Sequence, residues 1–355
     1  MEQVLIAMKP PASLIQRAPP MTELEVISRA SFKEVITSVE LVDLNCDGQI
    51  NPVISTISGD VIAYEVDKGA DPELNEIARV SGLPPLAAFG VGDVIGNGTP
   101  DFVIGGLDNI LRVLVYMDGE FSVKATTPLG SLPTAVTVLN VLSDDRSEVV
   151  VATTDKHLRC YGWYDVALDK LADKVLDKPV FSIQPLHARG IPFSRFVFGD
   201  DSGYLFTYQY ADDRLHERAK IKAGGEVGLV ASGDMTKDGN SEVVTVSDGR
   251  NLTLFGMVKG TMEKFDIVKA PKPVTSIRIG NFWENGSGQI VSSHTNSAIT
   301  VLGFVGRRIV EGTSLKTSKK STDSHLAIGD VNGDGHPELV QAVGTDVYLI
   351  DVLEE

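Results

Sequence analysis

A chain of 355 residues that is 43% hydrophobic can bury one large core or two smaller ones. Its 32 Lys and Arg against 48 Asp and Glu, a net charge of −16, argue against a general phosphate-binding surface and so against nucleic acid as a partner. No run of 18 apolar residues occurs, which speaks against membrane insertion as a helix, and two cysteines, Cys46 and Cys160, give no disulfide framework and point to a reducing, cytoplasmic compartment.

The N-terminus, MEQVLIAMKPPASLIQRAPP, lacks the basic start of a secretory signal. It holds four of the 17 prolines. Residues 1–20 are read as an extension outside the fold, with Met21 as an alternative start, and residues 21–355 as one domain. A first strand, ELEVISRASF, is expected over Glu23–Phe32.

Repeats follow. Polar loops open at Asp43, Asp93, Asn140, Asp234, Asn281 and Asp330, separated by 50, 47, 94, 47 and 49 residues. The double step hides a unit near His187, where KPVFSIQPLHARGIPFSRFVFGDD aligns with KPVTSIRIGNFWENGSGQIVSSHT. Each unit reads alike: an alternating strand, a Gly-rich polar loop, an almost wholly apolar strand such as EVVVATT, a tight turn, a third strand and a more polar fourth. A period of 40–50 residues with four strands per unit predicts an all-β, seven-bladed β-propeller of four-stranded blades. DVALDKLADKVLD, Asp165–Asp177, fits a short helix by spacing and an outer strand by its place in the repeat; both readings stand. The seventh unit stops after its third strand, so Glu23–Phe32 is expected to complete that blade, close the ring and remove an exposed sheet edge.

GDVNGDGHPELV (from Gly329), GDMTKDGNSEVV and DLNCDGQINPVI resemble the repeat of the FG-GAP (integrin-α N-terminal, VCBS-like) propellers. The resemblance covers residues 23–355. It implies the propeller fold, and it implies calcium in the nine-residue loop pattern. Such propellers serve as integrin heads, lectins, lyase scaffolds and subunits of intracellular complexes, so fold does not give function. The chain looks most like the intracellular group, which includes the propellers of the Bardet–Biedl ciliary coat complex and the FG-GAP subunit of the KICSTOR nutrient-signalling complex. That likeness implies a protein-binding scaffold.

Calcium takes six to eight oxygens. Asp330, Asn332, Asp334 and Glu338 offer side-chain oxygens at loop positions 1, 3, 5 and 9. Asp43, Asn45, Asp47 and Asn51 do so with two negative charges, and Asp234, Asp238 and Glu242 with three but with Thr236 at the third position. Ile95, Leu142 and Trp283 occupy that position in the loops at Asp93, Asn140 and Asn281, which bars calcium there. The competing reading is that these Asp and Asn side chains cap the turns.

No H-E-x-x-H, G-x-S-x-G, Walker loop or Cys-x-x-Cys occurs. GVGDVIGNG lies between strands and carries an acid, unlike a phosphate cradle. The only basic cluster, KTSKKS, marks Lys316, Lys319 and Lys320 as candidate partner contacts. Three functions stand: a non-enzymatic scaffold binding a protein through a propeller face; a calcium-stabilised lectin, against which a 6% aromatic content counts; and a polysaccharide lyase-type enzyme.

Overall fold

The computed structural model describes residues 23–68, 72–191, 194–283, 287–318 and 324–352. They form seven four-stranded antiparallel sheets and, among the described residues, no helix. Six sheets are continuous in sequence. Blade 1 comprises Ile36–Val42, Asn51–Thr56, Val61–Val66 and Leu74–Val80. Blades 2 and 3 span residues 86–128 and 133–175, and blades 5 and 6 span 227–269 and 274–316. Blade 4 comprises Ile183–Leu186, Arg195–Gly199, Tyr204–Ala211 and Arg214–Lys222.

Blade 7 is assembled from both ends of the chain. Ser324–Gly329, Glu338–Val343 and Asp346–Val352 supply three strands, and Leu24–Ser31 adds the fourth. The register runs from Leu24 opposite Val352 to Ser31 opposite Asp346. The Arg29 guanidinium donates to Asp346 at 2.9 Å, and the Ser31 hydroxyl donates to the same carboxylate at 2.6 Å. The N-terminal strand thus closes the ring, as the truncated last repeat predicts.

Burial follows the alternation seen in sequence. In six blades all six residues of the second strand are buried, because neighbouring blades cover both faces. The fourth strands alternate between exposed and buried positions, as in Glu120–Pro128. Ala167–Val175 is one of these outer strands, so the repeat, not the helical spacing, reads Asp165–Asp177 correctly. The apolar contacts fall into seven clusters, one between each pair of adjacent blades. No blade therefore has a core of its own; each buries its faces only against neighbours.

Near the axis the inner strands crowd. A Cβ at Gly92 would lie 2.5 Å from Val138, and one at Gly233 would lie 2.7 Å from Ile279. Glycine at the end of an inner strand lets the next blade approach. Every pairing of third and fourth strands carries a register shift, which strengthens twist as a sheet fans outward. Across the axis, the Arg278 guanidinium of blade 6 meets Glu40 of blade 1 at 3.1 Å.

Candidate functional site

The loops between first and second strands stand together at one end of the ring. Adjacent loops are joined through the main chain: Ser147 N–H donates to Asp93 O at 2.7 Å, Ser194 to Asn140 O at 2.7 Å and Ser241 to His187 O at 2.9 Å. In the four loops that open on an aspartate, that residue accepts main-chain N–H groups. Asp93 accepts from Gly96, Asn97 and Gly98 at 2.8–3.1 Å. Asp43 accepts from Asp47 and Gly48, and Asp234 accepts from Asp238 and Gly239. Asp330 takes Gly335 N–H at 2.9 Å. The fifth position caps two residues on, as Asp47 does for Gln49, Asp238 for Asn240 and Asp334 for His336. These are the turn-capping bonds expected of Asp in such loops.

The ninth position does something the sequence reading does not foresee. It is the first residue of the second strand, and its side chain reaches back under its own loop. Asp101 accepts from Val94 and Ile95 N–H, both at 2.8 Å. Glu148 accepts from Val141 at 2.7 Å and Leu142 at 3.2 Å, and Glu242 from Met235 at 2.8 Å and Thr236 at 3.3 Å. Glu338 accepts from Val331 at 2.8 Å, Asn51 from Leu44 at 3.3 Å and Gln289 from Trp283 at 2.9 Å. In six blades a buried oxygen at one position therefore staples the loop to the strand. The only requirement is an acceptor, which is why Asn, Gln, Asp and Glu all serve. Burial lifts these carboxyls above the ordinary range: Asp101 to about 6, Glu242 and Glu338 to about 7.

Against this background blade 7 differs from blades 1 and 5. Asp330, Asp334 and Glu338 each place an oxygen within 4.8 Å of the others. Two ligands of one calcium at 2.3–2.6 Å lie no more than about 5 Å apart, so the three carboxylates fit one ion. Asp330 Oδ1 and Glu338 Oε1 are buried and have no hydrogen-bond partner. Asn332 is turned to the chain: its Oδ1 accepts Asp334 N–H at 2.9 Å and its Nδ2 donates to the Asp334 carboxylate at 3.0 Å. In blade 5, Asp234, Asp238 and Glu242 do not come together in this way. There Thr236 donates its hydroxyl to Glu242 Oε1 at 3.4 Å, and so occupies the oxygen that Glu338 leaves open. In blade 1, Asn45 donates to Asp47 at 2.9 Å, while Asn51 spends its oxygen on Leu44 and its amide on Tyr64 O at 3.1 Å.

Blade 4 breaks the pattern. Its ninth position is Arg195, a donor, and Arg195 Nε is buried without a partner. The alignment that reveals the hidden unit already sets Arg195 against Gln289; the reversal of hydrogen-bonding polarity was the available signal. Of the basic cluster, Lys316 ends the fourth strand of blade 6, whereas Lys319 and Lys320 lie outside the described residues, as does the extension 1–20. A cavity of about 530 Å³ between blades 5 and 6 is lined by His294, Ser292, Thr300 and Leu252. The His294 ring is already engaged there, by Thr300 Oγ1 at 2.9 Å and Lys272 O at 3.2 Å.

Comparison of the chain with protein-family models gives no match, and comparison with curated proteins gives none. No helix among the described residues is long and apolar enough to cross a membrane.

Proposed function

We propose that the protein is a non-enzymatic, protein-binding propeller that acts as a subunit of a cytoplasmic complex. The observation that carries this reading is the placing of exposed apolar side chains. Twelve large ones are exposed among the described residues, and ten lie between Val35 and Phe181, on blades 1 to 3 and the connections flanking them. Ile57 and Leu107 sit at equivalent turns on one end of the ring, and Met117, Tyr164 and Val166 sit at hairpin tips on the other. Val166 is 76% exposed. Met117, Tyr164 and Val166 share one end of the adjacent blades 2 and 3, and exposed apolar residues grouped in this way mark interaction surfaces, whereas single scattered ones do not. Loops on a rigid frame are where binding concentrates. The FG-GAP-like motifs support the same reading through the intracellular members of that family.

The test is a pull-down from the host's extract with the full chain, beside a Met117→Asp/Val166→Asp variant and a control altered on blade 5. Loss of a partner from the first variant alone, at unchanged melting temperature, is the expected result. Identical partner sets for all three, or saturable binding to sugars on a glycan array, would overturn the reading in favour of another surface or of the lectin.

We further propose that blade 7 holds calcium through Asp330, Asp334 and Glu338. The unpartnered buried oxygens of Asp330 and Glu338 favour it. The ion would supply charge compensation to the buried Glu338 and the half-buried Asp330 carboxylates and pin the loop; the nucleating bonds of the blade are already made by the chain.

A further inference from the structure

The staple of blade 4 is missing, and a positive charge stands in its place. Arg195 lies on the same side of its strand as Val197, which packs in the cluster between blades 4 and 5. Across the sheet, Phe196 pairs with Tyr208, so Gln209 stands next to Arg195 in the row. Gln209 is buried, and its Oε1 accepts Arg218 Nε–H at 3.0 Å. Arg218 sits at the register shift between the third and fourth strands and is exposed. Two guanidiniums thus bracket one buried amide at the end of the ring where the loops gather.

Neither guanidinium has a carboxylate partner. Arg112 pairs with Asp108, Arg159 with Asp155 and Asp173, and Arg278 with Glu40; Arg250, which also lacks a carboxylate, donates instead to Ala270 O and Pro271 O. Among the described residues no ion pair is made by Arg195 or Arg218, in a chain with a net charge of −16. Burial, and then the charge of Arg218, lower the Arg195 pKa, so the two groups feel each other. An uncompensated, partly buried charge is costly, and a guanidinium fork matches the two oxygens of a carboxylate or phosphate.

We infer that Arg195 and Arg218 form an oxyanion site at the blade 4–blade 5 interface, taking a carboxylate or phosphate group from a ligand. In the other six blades the chain itself supplies an acceptor at this position. In blade 4 the acceptor comes from outside, supplied by the ligand. The inference is independent of the protein-binding reading.

The full chain, labelled with ¹⁵N-arginine, is titrated with inorganic phosphate and separately with acetylated tetraglutamate, each against sodium chloride at matched ionic strength. Expected is a saturable shift of the Arg195 and Arg218 Nε resonances, assigned with Arg195→Gln and Arg218→Gln, while Arg79, held by Asp60 and Glu76, stays still. Either substitution weakens binding at least about tenfold, the loss of one charged hydrogen-bonding partner. Arg195→Glu, which restores an acceptor, abolishes the response and raises thermal stability. A stronger response to the peptide assigns the site to carboxylates, and the reverse assigns it to phosphate. No saturable shift beyond chloride with either probe, or an undiminished response in the exposed-side variant Arg218→Gln, overturns the site.

Discussion

Blades 7 and 4 carry the same four-stranded plan with opposite chemistry at one position. In blade 7 the first two strands, Ser324–Gly329 and Glu338–Val343, run six residues each, and Glu338 ties the loop between them. In blade 4, with Arg195 at that place, they shrink to four and five residues, Ile183–Leu186 and Arg195–Gly199. The sheet still forms, because apolar packing against its neighbours builds it. The shortening lies at the strand ends away from the loop, since Leu186 still pairs with Arg195 as Gly329 does with Glu338; what the staple governs is how the loop is tied to its own strand.

The largest blow falls on blade 7 through its borrowed strand. Removing residues 1–32 deletes Leu24–Ser31, with its ladder to Asp346–Val352 and the buried Leu24. The loss should exceed about 4–5 kcal/mol, beyond the range of ordinary single changes. Removing only 1–20 should leave denaturant unfolding unchanged. Equal stability of the two truncations would show that the ring does not depend on that strand. Blade 4, continuous in sequence, has no comparable weak point.

At the staple itself, Glu338→Ala in chelator-treated buffer leaves the buried Val331 N–H without its acceptor. The expected cost is about 1–3 kcal/mol in urea unfolding. Arg195→Ala removes a group with no partner and should be neutral or stabilising, within about 0.5 kcal/mol of the parent. Matching losses would erase the distinction between the blades.

Calcium sharpens the contrast further. If blade 7 binds it, a concentration ten times the dissociation constant stabilises the fold by about 1.4 kcal/mol. Asp334→Ala should cancel that gain, and Arg195→Ala should leave it intact. A melting temperature insensitive to both calcium and chelator returns the loop to a turn-capping role alone.

The smallest effect lies in pH. Asp101 makes the same staple in blade 2, and burial raises its folded pKa to about 6, above the unfolded value of about 3.9. The folded state therefore binds the proton more tightly. Its contribution is present at low pH and is lost as pH rises through about 6, costing about 1 kcal/mol between pH 5 and 7. Asn51 and Gln289 show that a neutral amide can hold the same bonds. Asp101→Asn should flatten that part of the profile and leave the protein more stable at pH 8. An unchanged profile would mean that Asp101 is not the titrating group.

Much of this architecture was legible in the residues. The spacing of Asp43, Asp93, Asn140, Asp234, Asn281 and Asp330 carries the seven blades, because each repeat needs one turn at one place. The missing last strand of the seventh repeat carries the closure. For Asp165–Asp177 the amphipathic spacing pointed two ways, and position in the ring settled it as a strand. The staple was hidden for a different reason. Read along the chain, Glu338 and Glu242 look like ninth-position calcium ligands. Whether an oxygen points at an ion or back at a main-chain N–H depends on how the second strand returns under its loop, which no spacing expresses. Thr236 against Asn332, a one-residue difference that decides whether an oxygen is already taken, is equally invisible until the loop has a shape.

The borrowed strand also sets the order of events during synthesis. Leu24–Ser31 leaves the ribosome about 300 residues ahead of its partner, Asp346–Val352. At ~5–20 residues per second the wait is on the order of tens of seconds. Meanwhile a strand edge stands unpaired beside six growing blades. Its burial pattern in the finished ring, with only Leu24 fully covered and Glu25, Val26 and Arg29 facing outward, describes a segment polar enough to wait in water. The ring is thus a lock whose first part made is the last to engage, and a nascent chain arrested short of residue 346 would keep that lock open.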